Sequence, residues 1–69
     1  MSLEIFKTSV ETPEDANYLL RLLQHSISDG LINFDLGDSD SILRIETNRE
    51  ISGVVCSLLT KQGFYCQKL

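Results

Sequence analysis

Basic residues are scarce in this chain. Six lysines and arginines face ten aspartates and glutamates over 69 residues, with one histidine and a formal charge of −4. Attraction to phosphate needs a positive surface, so general nucleic-acid binding and binding to an anionic membrane are not expected. Long apolar runs are also missing: none approaches the roughly 20 residues of a membrane span. The start, MSLEIF, has neither a basic region nor a long apolar stretch, so no export signal is expected. Cysteine is sparse. Cys56 and Cys66 are too few for a disulfide framework, and their spacing fits no common zinc pattern. Two reduced thiols in the cytoplasm are the expectation. No nucleophile–base pair, phosphate loop or paired carboxylate stands out, which leaves an enzyme as the least supported class. What is present is ordinary globular composition, 42% hydrophobic and 23% charged. A chain this short allows one domain, residues 1–69, with one small core and marginal stability.

Residues 3–10, LEIFKTSV, alternate as a strand, with Phe6, Thr8 and Val10 on one side and Ile5, Lys7 and Ser9 on the other. Thr12-Pro13-Glu14-Asp15 then reads as a helix start. Thr12 suits the N-cap and Pro13 the first turn, and the acidic pair suits the positive end of the dipole. Thr12 with Asp15 also fits a capping box. The helix is expected to run to about Ser28, burying Ala16, Leu19, Leu20, Leu23 and Ile27, with Asp29-Gly30 as a left-handed stop. Residues 31–36 and 41–47 alternate on either side of the turn Gly37-Asp38-Ser39-Asp40 and form a hairpin. Asn48 is the expected N-cap of a second helix over residues 49–62, with Ile51, Val54, Val55, Leu58 and Leu59 as its apolar face and Gly63 as its stop. Residues 64–69 form a closing strand.

The order strand, helix, strand, strand, helix, strand, with right-handed crossovers, predicts an α+β fold. This is the ferredoxin-like βαββαβ sandwich: a four-stranded antiparallel sheet with both helices on one face. On this layout the chain resembles the heavy-metal-associated domain, the family of small copper chaperones and the N-terminal modules of metal-transporting ATPases. Val10 sits where that family has a core methionine. Ala16, Leu19 and Leu23 follow its first-helix pattern, INFDLGDSDSILRIET resembles its hairpin, and LLTKQGFYC resembles its second-helix ending. The family binds Cu(I) through two thiolates in C-x-x-C, and the matching positions here are Thr12 and Asp15. A hydroxyl and a carboxylate are hard ligands that do not hold Cu(I), so the resemblance implies the fold without the metal transfer.

Several residues are candidates for chemistry. Thr12 and Asp15 read as capping residues, or with Glu11 and Glu14 as a loose oxygen-ligand site. Cys56 and Cys66, which the fold should bring close, read as structural thiols or as soft ligands. His25 falls near the end of the first helix, where its charge suits the dipole. Asp35, Asp38 and Asp40 resemble a calcium loop in charge alone and read as a solvated turn. Tyr18, Leu22 and His25 form a second stripe on the first helix, away from the core, and suit a partner surface.

The face of the sheet away from the helices is expected to show Ile5, Lys7, Ser9, Asn33, Asp35, Ile42, Arg44, Glu46, Tyr65, Gln67 and Leu69. Ile5 and Ile42 would be neighbours across it, giving an apolar patch with a charged rim.

The expected function is a small non-enzymatic binding or interaction domain with a protein partner or weak homodimer. No catalytic, cofactor-binding or metal-ligating residue is assigned. One alternative is a metal-binding protein using Cys56 and Cys66 or the first-loop carboxylates. Another is a small-molecule regulatory domain of the ACT type, which shares the strand order.

Overall fold

The structure is a computed structural model and describes residues 2–37 and 40–69. The elements follow the order β1 (Ser2–Thr8), α1 (Pro13–Ser26), β2 (Leu31–Asp35), β3 (Ile42–Thr47), α2 (Ser52–Lys61) and β4 (Cys66–Lys68). The strands form one antiparallel sheet in the order β2-β3-β1-β4. This is the α+β, ferredoxin-like arrangement, with the two halves interleaved so that β1 and β3 are central.

Alternation decides which sheet face is dry. Phe6 on β1, Ile32 on β2 and Leu43 and Ile45 on β3 join Leu19, Leu23 and Ile27 from the α1 side and Ile51, Val55 and Leu59 from the α2 side in one cluster. Both helices therefore cover the same face, and Val10 is fully buried beside them. Thr8 ends β1 inside this core without leaving its hydroxyl unpaired. It donates to the Ser41 carbonyl at 2.8 Å and accepts from the Val10 N–H at 3.2 Å.

Two helix ends depart from expectation. α1 stops at Ser26, with Ile27 as its C-cap, so Gly30 is not a left-handed stop. A Cβ at Gly30 would meet Ile27 Cγ2 at 2.9 Å and the Glu46 carbonyl at 3.3 Å, so glycine is there for closeness of approach. α2 starts at Ser52, three residues after the expected position. Ile51 holds the N-cap place with no side-chain hydrogen bond, and Asn48 lies outside the helix. Val54 consequently points outward and is exposed, because the buried stripe is Ile51, Val55 and Leu59 at four-residue spacing. Gly63 does end α2 as expected, with φ +90, a conformation that favours glycine. Leu20 is half-buried at the edge of the α1 stripe.

Candidate functional site

The first loop is a helix start. Thr12 has extended backbone, φ −113 and ψ 149, and its hydroxyl accepts from the Asp15 N–H at 3.1 Å. That satisfies one of the donors every helix leaves open at its N-terminus. Glu14 and Asp15 occupy the first turn, where the dipole favours negative charge. Glu11 and Glu14 are exposed, and among the described residues no group of three or more His, Cys, Asp or Glu side chains converges to hold a metal ion.

Cys56 and Cys66 do come together. Cys56 lies on the flank of the α2 stripe, and Cys66 is the first residue of β4, opposite Thr8 and on the helix side of the sheet. The two Sγ atoms are 3.4 Å apart, and both residues are half-buried. Burial, reinforced by the sulfur contact with Cys56, pushes the Cys66 thiol up to about 12. The neutral thiol is the stable form there, since a charge in a poorly solvated position is unfavourable. Two sulfur ligands fall short of the four of a structural zinc site.

The remaining candidates disperse. His25 is exposed in the last turn of α1. Asp35 serves its own turn. One carboxylate oxygen accepts from the Gly37 N–H at 3.1 Å and the other lies 3.6 Å from Arg44. Asp40 lies 3.7 Å from Lys7, while Asp38 falls outside the described residues. The Tyr18 stripe is exposed at Tyr18 and His25 but not along its whole length. Leu22 packs partly against the core, and the Tyr18 hydroxyl donates to Gln62 Oε1 at 3.1 Å, bridging α1 to the end of α2.

The open face of the sheet differs from the expected patch in a specific way. Ile5 faces Arg44 across the β1–β3 pair, and Ile42 faces Lys7, so the two isoleucines are diagonal rather than opposed. Ile42 is only 8% exposed. It lies between Asp35 and Lys7 in the sheet, and the long stem of Lys7 is well placed to cover it. The apolar character of this face lies elsewhere. Among the described residues, six large apolar side chains are exposed: Leu3, Tyr18, Leu31, Val54, Tyr65 and Leu69. Four of them, Leu3, Leu31, Tyr65 and Leu69, fall on the open face by alternation. Leu3 and Leu31 flank Glu46 in one cross-strand row, and Leu69 lies beside Ile5 through its backbone N–H at 2.8 Å. Leu3 and Leu31 share the parity of Ile5 and Asn33, which was the available signal for them in the sequence.

One pair has no counterpart in the sequence reading. Glu4 shares the helix-side parity of Phe6 and is buried, with its Oε1 closed to solvent and in no well-aligned hydrogen bond. The Lys68 ammonium from β4 lies 3.0 Å from that oxygen, with side-chain exposures of 46% for Lys68 and 8% for Glu4. Contact with this carboxylate holds the Lys68 pKa above its ordinary value. Only the β1–β4 neighbour relation brings these two ends of the chain together. No family model, curated protein or solved structure matches the chain.

Proposed function

We propose that this domain is a non-enzymatic binding module that works through the open face of its sheet, on a scaffold like that of the heavy-metal-associated domains. The observation that carries the reading is the concentration of exposed leucine and tyrosine on the one face its own helices leave bare. Antiparallel sheets tolerate a wet face when it is polar, and Asn33, Asp35, Arg44 and Gln67 are as expected there. Leu3, Leu31, Tyr65 and Leu69 are not: Leu3 and Leu31 flank Glu46, Leu69 lies beside half-buried Ile5, and Tyr65 stands beyond Gln67 on the same edge. Exposed leucine and tyrosine interspersed with charged and polar side chains suit a weak, non-obligate contact. Thr12 supports the absence of Cu(I) transfer, because its hydroxyl is committed to capping α1.

A standard interface buries about 800 Å² per partner. The domain exposes 4284 Å² in all, so such a contact would occupy roughly a fifth of it. The expected association is therefore weak, with a second copy as the first partner to test. Amide shifts that move with protein concentration should map to β1, β2 and β3, and sedimentation should show a rising mass. Leu31→Glu, at an exposed position on an edge strand, should abolish both without unfolding the domain. A protein that stays monomeric at millimolar concentration with unmoved sheet amides, or a Leu31→Glu variant that associates as before, would sink the reading.

A further inference from the structure

We propose that Cys56 and Cys66 form a thiol modification site: a dithiol that a low-molecular-weight disulfide converts into an intramolecular bond tying α2 to β4. The site is independent of the sheet face, and it stands on geometry. Two half-buried sulfurs from different elements lie 3.4 Å apart. A disulfide needs about 2.05 Å, so the sulfurs have to close by roughly 1.3 Å, a movement within reach of small side-chain rotations. The chain has no third cysteine to compete for either partner. Half-burial leaves an approach for a small oxidant while keeping a second protein molecule at a distance.

The chemistry balances as two exchanges. The Cys56 thiolate attacks one sulfur of the external disulfide, forming a mixed disulfide and releasing one small thiolate, which takes up a proton. Cys66 then gives its proton to solvent and attacks Cys56 Sγ, forming the Cys56–Cys66 bond and releasing the second small thiolate. Two protein thiols are oxidised, and one small disulfide is reduced to two thiols. Cys66 suits the second role. Its sulfur already lies 3.4 Å from Cys56 Sγ, the atom it has to attack. The second attack is intramolecular, between atoms already in contact, so the mixed disulfide should be short-lived.

The consequence lies in the closing strand. β4 has three residues and pairs only with β1 at one sheet edge. On its open face the hydroxyl of Tyr65, the residue before the strand, donates to Gln67 Oε1 at 2.5 Å. A bond at Cys66 would fasten this edge to the helix layer.

The test uses the whole reduced protein incubated with oxidised glutathione and followed by intact mass and maleimide titration. The expected product is a monomer lighter by two hydrogens with no reactive thiol, restored by dithiothreitol and melting several degrees higher than the reduced form. Cys66→Ala should instead accumulate a stable glutathione adduct on Cys56, and Cys56→Ala, which keeps only the thiol that burial holds neutral, should react far more slowly. Should either variant fail to fold, the wild-type mass decides alone. Adducts that persist on the wild type, disulfide-linked dimers, or two thiols that stay free after prolonged exposure would each overturn the proposal.

Discussion

The two halves of this domain repeat one plan but are secured differently. In the first, α1 has fourteen residues, a proline in its first turn and a threonine cap. Its helix start is written locally and closes on itself. In the second, α2 has ten residues and starts at Ser52 behind a buried isoleucine, whose side chain cannot cap it. β4 has three residues, where its counterpart β2 has five. The second half is held from outside: by the core stripe Ile51, Val55 and Leu59, by Lys68 on Glu4, and by Cys56 against Cys66. The dithiol and the buried carboxylate both sit where local sequence provides least. A short helix is marginal in water on its own, so α2 depends on tertiary packing in a way α1 does so less.

The largest expected effect breaks that dependence. Leu59 is fully buried near the end of the α2 stripe. Leu59→Ala should cost roughly 2–5 kcal/mol, from lost transfer energy plus the cavity left behind. In a domain this small, that approaches the whole stability. Denaturant unfolding followed by circular dichroism should show a much lower midpoint, and hydrogen exchange should show α2 amides losing protection first. A midpoint close to wild type would mean that α2 is secured by something other than its stripe.

A second effect isolates the dithiol through pH. Cys66 has an ordinary value of 9.0 and a folded value of about 12. The unfolded chain therefore releases this proton near 9 while the folded chain keeps it. Its contribution is complete below pH 9 and is lost as pH rises towards 12. The reduced protein should lose stability from about pH 9 upward, before lysine begins to titrate. Cys66→Ala, or oxidation to the intramolecular disulfide, should remove that early part of the decline. An unchanged alkaline profile in both would mean that the thiol pair does not contribute to folding.

The smallest effects compare the two helix starts directly. Thr12→Ala removes the α1 cap bond and should cost about 1 kcal/mol. At α2 the equivalent support comes from Glu50, whose carboxylate accepts from the Ser52 N–H at 3.2 Å and the Ser52 hydroxyl at 2.6 Å. These bonds lower the Glu50 pKa, but the group is fully exposed. Glu50→Ala should move the melting temperature less than Thr12→Ala. The reverse order would show that α2 has a cap of its own after all.

Much of the candidate chemistry was legible before the structure, and the reasons are particular. Thr12 capping needed only three residues of spacing. The meeting of Cys56 and Cys66 followed from placing one on the inner flank of a helix and the other on the helix side of a strand. The apolar patch was only half legible. Alternation assigned Ile42 to the open face, but burial also depends on what stands beside a residue, and Lys7 and Asp35 stand beside it. The Glu4–Lys68 pair was illegible, since 64 positions separate residues that only the sheet order makes neighbours.

What the sequence determined by itself is the element order, the buried side of each strand and the first helix start. These depend on periods of two and 3.6 residues and on capping within a single turn. The start of α2, the burial of Ile42 and of Glu4, and the place where apolar surface remains exposed were decided by tertiary structure. Each depends on cross-strand neighbours and on the packing of one layer against another, which bring together residues far apart in the chain.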